Sequence, residues 1–169
     1  MRILIVGAVA AGTSAAAKAS RNAPETEIVI YEKGSFISYS GCGMPYYIGR
    51  HVIDIEKLVP RDPAFFKEKY NVEVKVQHEV VGIDPSRKTI TVKDLAGDEV
   101  FVDHYDKLVL ATGARPIVPP IGGVDNPHVF SLRNIDDLHK LTAYINENKP
   151  GQAVIVGTGY IGMELCENL

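Results

Sequence analysis

The sequence predicts an α/β fold, and three observations predict it. A β-branched apolar run near the amino terminus breaks into a turn that begins at Gly7 and ends at Gly12. A second apolar run ends in Gly157, Gly159 and Gly162. Between them, apolar and polar residues alternate with turn residues interposed, the pattern of an antiparallel meander. Strand, glycine turn and helix in succession make a Rossmann-like parallel sheet, whose opening turn receives the pyrophosphate of a dinucleotide.

The elements follow in order. Ile3-Leu4-Ile5-Val6 is short and β-branched enough for a buried parallel strand. After the turn Gly7-Ala8-Val9-Ala10-Ala11-Gly12, small residues continue as a helix from Thr13 to about Arg21. The strand Glu27-Ile28-Val29-Ile30-Tyr31 ends at Glu32, twenty residues after Gly12, the spacing at which a carboxylate meets adenosine ribose hydroxyls. Glycines let backbone N–H groups approach phosphate oxygens, and the helix start favours their charge. Val9 stands at the middle position, where the fingerprint has glycine. Asp62 caps a helix with Pro63 in its first turn and Phe65 and Phe66 facing inward before Tyr70. A strand at 72–76 leads to a meander at 78–84, 88–93 and 99–102, with turns at Asp84-Pro85 and Ala96-Gly97. Leu108-Val109-Leu110-Ala111 returns to the parallel sheet and stops at Thr112-Gly113.

Residues 115–123 are rich in breakers and read as a linker. A helix from Ile135 to Asn146, acidic at Asp136 and Asp137, precedes the strand Ala153–Val156 and the full G-x-G-x-x-G of Gly157 to Gly162. Met163-Glu164-Leu165 then opens a helix. The expected division is a nucleotide-binding domain over 1–114 in three β/β/α layers, the linker, and the beginning of a second nucleotide-binding domain over 124–169. A strand and half a helix do not bury their faces alone, so the sequence reads as the front part of a longer protein.

Composition narrows the function classes. Eighteen Lys and Arg against 21 Asp and Glu, dispersed along the chain, argue against nucleic-acid or membrane-surface binding. No run approaches the roughly 20 apolar residues of a membrane span. Met1-Arg2, the apolar stretch and Ala15-Ala16-Ala17-Lys18-Ala19 imitate a secretory leader, but Gly7 and Gly12 interrupt its centre and Glu32 completes a βαβ unit. A cytoplasmic protein is expected.

Cys42 and Cys166 make neither a metal spacing nor a disulfide framework, and the histidines His51, His78, His104, His128 and His139 are scattered, so no metal is expected. Cys166 is spaced like a core position of the last helix and reads as packing. Cys42 precedes Gly43-Met44-Pro45 at a helix start, where the dipole and free N–H groups favour a thiolate. Alone it would read as a buried structural cysteine. Its frame, Ser40-Gly41-Cys42-Gly43-Met44-Pro45-Tyr46, lying between two nucleotide turns, makes it a candidate redox thiol. Tyr39, Tyr46 and Tyr47 either line its pocket or pack.

Taken in order, the first glycine turn, Tyr31-Glu32-Lys33, the Cys42 frame, Tyr105-Asp106-Lys107-Leu108-Val109-Leu110-Ala111-Thr112-Gly113, Leu132-Arg133 and the second glycine turn resemble one known family. It is the single-cysteine branch of the FAD-dependent pyridine nucleotide-disulfide oxidoreductases. That branch holds coenzyme A-disulfide reductase, persulfide and polysulfide reductases, NADH oxidase and NADH peroxidase. Two-cysteine members carry C-x4-C, and Cys42 has no partner at that spacing.

The resemblance implies that Gly7, Ala10, Ala11 and Gly12 cradle the FAD pyrophosphate while Glu32 and Lys33 hold the adenosine side. It places the backbone of Val80 and Val81 on the adenine, and Ala111, Thr112, Gly113 and Arg133 over the cofactor. Gly157, Gly159, Tyr160, Ile161, Gly162 and Glu164 would take NAD(P)H. Lys18 and Arg21 fall at family positions near a coenzyme A tail, although cations at a helix end often face water. Ser38 and Gly41 join them as substrate-side residues. The full-length form is implied to be a homodimer whose C-terminal domain contributes to the partner's site.

Three functions stay open. Cys42 reduces a disulfide or persulfide, with coenzyme A as the thiol, using electrons from NAD(P)H. Alternatively it cycles through a sulfenic acid with oxygen or peroxide as substrate. Members that do so place a histidine where this chain has Ala10, and Pro45-Tyr46 fits the coenzyme A side better. In the third, the chain binds nucleotide without turnover.

Overall fold

The computed structural model describes residues 1–169. In chain order the elements are β1 (Arg2–Val6), α1 (Ala11–Asn22), β2 (Glu27–Tyr31), a 3-10 turn (Gly41–Gly43), α2 (Met44–Ile48), a second 3-10 turn (Ile55–Lys57), α3 (Pro63–Tyr70), β3 (Val72–Lys75), β4 (His78–Asp84), β5 (Thr89–Asp94), β6 (Val100–His104), β7 (Lys107–Leu110), α4 (Ile135–Asn148) and α5 (Tyr160–Asn168). They divide into two units, Met1–Tyr39 with Val59–Gly113, and Ser40–Leu58 with Ala114–Leu169.

In the first unit, β1 is apolar on both faces and lies inside a parallel sheet of order β3-β2-β1-β7. Ile3 stands opposite Ile28 in β2 and opposite Lys107 in β7. Alternate residues feed two cores, because successive side chains leave a strand on opposite faces. Ile5, Ile28 and Ile30 pack with Ala16 of α1 and Phe66 of α3. Leu4, Val29 and Tyr31 pack with Ile90 and Val92 of β5. The antiparallel sheet β4-β5-β6 is therefore the third layer of the expected β/β/α sandwich. Asp62 caps α3 by accepting from the Phe65 N–H at 2.8 Å. Asn71 ends the helix at φ 51°.

A charged cluster ties these layers together. The Tyr31 hydroxyl donates to Asp103 at 2.6 Å, and Arg2 bridges Asp103 at 2.8 Å and also Glu27. Burial and then the Asp103 carboxylate push the Tyr31 pKa well above its ordinary 10.0. Burial raises the Asp103 pKa, but hydrogen bonds from Tyr31, Arg2 and the His104 N–H outweigh it and hold the carboxyl below its ordinary value.

In the second unit, α4 carries a full capping box. Asn134 accepts from the Asp137 N–H at 2.8 Å, and the Asp137 carboxylate accepts from the Asn134 N–H at 3.3 Å. The helix runs two residues past the expected Asn146 and stops at Lys149, φ 46°. Two expectations fail here. Ala153–Val156 joins no ladder, since no strand of the unit lies beside it, and Val154 and Val156 are 84% and 81% exposed. Cys166 is exposed rather than packed, the buried position near the end of α5 being taken by Asn168. Ser40–Leu58, assigned by the expected division to the first domain, groups with this unit. No helix is long and apolar enough to cross a membrane.

Candidate functional site

The first glycine turn is shaped by backbone crowding. Gly7 has φ +102°, and a Cβ there would strike the Ala111 carbonyl at the end of β7. Its N–H donates to the Tyr31 carbonyl at 2.8 Å, and the Ala111 N–H donates to the Val6 carbonyl at 2.8 Å, so the turn is pinned from both neighbouring strands. A Cβ on Gly12 would strike the Gly7 carbonyl oxygen and come within 3.2 Å of the Ile5 side chain. The turn thus holds the start of α1 against the tip of β1, where the first N–H groups of the helix have no intrahelical acceptor.

Glu32 does more here than its spacing announced. One carboxylate oxygen accepts from the Ala8 N–H at 2.8 Å and the other from the Gly34 N–H at 2.8 Å. Those bonds join the glycine turn to the end of β2 and leave roughly two of the four lone-pair sites of the carboxylate for ribose hydroxyls. Ser38, expected on the substrate side, holds the same turn from behind. It adopts φ 51°, and its N–H donates to the Ala8 carbonyl at 2.8 Å. The pairing of β4 with β5 slips between Val80 and Gly82, leaving Val81 without a cross-strand partner and 54% exposed. Its backbone is therefore available to a planar ring, as bulges near sites often make it. Thr112 and Gly113 (φ +68°) are exposed just beyond β7. Amides at a helix start, a carboxylate with capacity left and an unpaired strand backbone together fit an adenine dinucleotide. Lys33, Lys18 and Arg21 are exposed on this unit, Arg21 lying over the Tyr70 ring at 5.8 Å.

In the second unit, Cys42 is exposed at the centre of the 3-10 turn, between the half-buried Gly41 and Gly43. The turn is wedged in place. Met44 and Pro45 are buried, the Ser40 N–H donates to the Leu58 carbonyl at 2.7 Å, and a Cβ on Gly43 would strike the Leu58 side chain. Tyr46 is exposed and edge-on to His51 at 6.4 Å, while Tyr47 is half-buried. Arg133 donates from Nε to the Ala114 carbonyl at 3.0 Å, and its N–H donates to Asp137 at 2.9 Å, fixing the entry to α4.

The second glycine turn repeats the first although its strand is unpaired. Gly157 has φ +111°, a Cβ on Gly162 would strike the Gly157 carbonyl oxygen, and the Ile155 side chain lies 3.4 Å from it, matching the part played by Ile5. Gly159 replaces Val9 as the middle residue, and α5 begins at Tyr160, one position earlier in the motif than α1 does at Ala11. Tyr160 is 92% exposed, Ile161 is exposed, and Glu164 is half-buried.

The family model for pyridine nucleotide-disulphide oxidoreductases matches residues 1–169. The chain belongs to that family. Among its relatives, the coenzyme A disulfide reductase of Staphylococcus haemolyticus is 38% identical over 168 residues, which make up 99% of this chain and 38% of the relative. The chain therefore spans well under half the length of that oxidoreductase. Reduced CoADR-RHD from Bacillus anthracis superposes at a TM-score of 0.95 with 41% identity, covering 99% of this chain and 30% of that one. The water-forming NADH oxidase of Lactobacillus brevis, bound to NADH, gives 0.90 with 36% identity over 99% of this chain and 37% of its own. These likenesses embrace both units, the thiol turn and both glycine turns.

Proposed function

We propose that this chain is the leading part of an FAD-dependent NAD(P)H oxidoreductase that reduces a coenzyme A disulfide or persulfide through Cys42. The observation that carries the reading is an exposed thiol, wedged in a glycine-bounded turn, on the same unit as a complete G-x-G-x-x-G turn. The coenzyme A disulfide reductase named among the relatives supports the substrate class.

Bound FAD supplies two-electron relay between NAD(P)H and sulfur. The chain's own residues bind and orient. Gly7, Ala10, Ala11 and Gly12 present backbone to the pyrophosphate, Glu32 accepts from ribose hydroxyls beside Lys33, and the backbone of Val80 and Val81 meets adenine. Ala111, Thr112, Gly113 and Arg133 complete the cofactor side, and Gly157, Gly159, Tyr160, Ile161, Gly162 and Glu164 take NAD(P)H. Lys18, Arg21, Ser38 and Gly41 serve the substrate, the two cations attracting its phosphates. The Cys42 thiolate attacks one sulfur of RSSR, forming Cys42–S–S–R and expelling RS⁻. Two electrons from NAD(P)H then cleave the mixed disulfide, returning the Cys42 thiolate and a second RS⁻. With one proton from water, each turnover converts NAD(P)H, H⁺ and RSSR to NAD(P)⁺ and two RSH. The complete enzyme is a cytoplasmic homodimer in this reading.

Mass spectrometry of the oxidised complete enzyme tests it, with a thiol adduct expected at Cys42 that dithiothreitol releases. Cys42→Ser should abolish disulfide reduction and spare bleaching of the flavin by NAD(P)H. Full disulfide reduction by that variant would remove Cys42 from the mechanism. Likeness to the water-forming NADH oxidase favours a second reading, a sulfenic acid at Cys42. A single added oxygen there, with peroxide or oxygen turnover and none of coenzyme A disulfide, would select it.

A further inference from the structure

Asn168 is an unusual occupant of its place. It is 8% exposed, its Nδ2 donates to the Glu164 carbonyl at 2.7 Å, and its Oδ1 is buried with no donor. A buried acceptor left unpaired is unfavourable, and an apolar residue of that size would fill the space without the cost. The amide faces Gly49, which ends α2 and donates its N–H to the Pro45 carbonyl at 3.0 Å. Gly49 has φ −72° and ψ 3°, which any residue adopts, so its missing side chain answers to space rather than to backbone conformation. A Cβ there would strike Oδ1 and lie 3.0 Å from Cγ of Asn168. The amide therefore sits directly against the Gly49 Cα, close enough for a weak Cα–H···O contact. The contact lies where the helix that follows the thiol turn packs on the helix that follows the second glycine loop.

We infer that Asn168 is a positioning residue for Cys42. Through its contact with Gly49 it locks α2 onto α5, so that a nucleotide held at Gly157–Gly162 fixes the thiol turn, whose Cys42 lies seven residues before Gly49. The inference rests on the proposed function for the roles of the loop and the thiol. It adds a path between them that lies within one unit and uses neither the flavin nor the substrate.

The test uses the complete flavin-loaded enzyme, reduced with dithiothreitol and freed of it. Iodoacetamide labelling of Cys42 is timed by peptide mass spectrometry with and without ADP-ribose, a redox-inert occupant of the second loop. Saturating ADP-ribose should change the parent's labelling rate about threefold. Asn168→Ala and Gly49→Ala should lose that response while binding ADP-ribose with the parent's affinity. Variants that melt at lower temperature but keep the response would show a merely structural contact and overturn the inference. Where neither variant folds, hydrogen exchange in the parent decides. Amides of Tyr47 and Gly49 should exchange more slowly with ADP-ribose bound, and unchanged exchange would overturn it. Failure of the parent to bind ADP-ribose would overturn the proposed function itself, whereas normal binding and thiol chemistry without any response would overturn the positioning role alone.

Discussion

Replacing Glu32 by Gln separates what the carboxylate does for the protein from what it does for a ligand. In the folded chain its two oxygens accept from the Ala8 and Gly34 N–H groups, each at 2.8 Å, before any ribose arrives. A hydrogen bond to a charged acceptor contributes about 1.5–3 kcal/mol. Gln keeps one oxygen and turns an NH2 group toward the other amide, so one bond is lost and a donor faces a donor. The expected cost is about 2–3 kcal/mol, and Glu32→Ala, which loses both, costs more. With a urea slope of roughly 2–3 kcal/mol/M, the midpoint followed by far-UV circular dichroism in flavin-free protein falls by about 1 M. A Glu32→Gln midpoint within about 0.3 M of the parent would refute the reasoning, because the carboxylate would then serve only the ribose.

Further outcomes follow from the charged cluster and the second turn. The Tyr31 pKa is raised in the folded chain, so the folded state holds its proton more tightly. The stability this contributes is complete below pH 10.0 and is lost as pH rises above it, a loss that Tyr31→Phe should abolish in alkaline thermal melts. The Asp103 carboxyl is lowered instead, so its contribution is present above 3.8 and is lost as pH falls through the folded value, which acid melts of Asp103→Asn should no longer show. Gly162→Ala drives a Cβ into the Gly157 carbonyl and should weaken NADH binding at least tenfold by titration while flavin content is unchanged. Equal loss of both would mean that the two turns do not serve separate nucleotides.

Much of this was legible in the sequence because it is written in local rules. The β1 run, the Asp62 cap and the turns at Asp84-Pro85 and Ala96-Gly97 are decided by residues within a few positions of one another, and all lie where the pattern put them. Glu32 was found by its distance from Gly12, but its bonds to Ala8 and Gly34 depend on how the end of β2 meets the turn, which spacing does not encode. The strand expected at Ala153–Val156 has the right composition, yet a strand is a pairing and its partners must come from elsewhere in the chain. The Gly49–Asn168 contact is not legible in the sequence, because the two residues are 119 positions apart and neither belongs to a motif. A glycine with an ordinary φ after a helix, where a left-handed cap is the usual reason for glycine, is the one trace they leave.

The pairing of Ile3 with Lys107 has a consequence for how the molecule is made. A ribosome delivers β1 before the other elements of its unit, but one edge of β1 stays open until β7 emerges more than 100 residues later and closes over it. Gly7 takes its positive-φ conformation against Ala111, a residue that arrives later still. The first glycine turn is therefore among the last features of its unit to be completed: α1, α3 and β5 can cover the faces of β1 before then, but the edge beside Gly7 waits for β7.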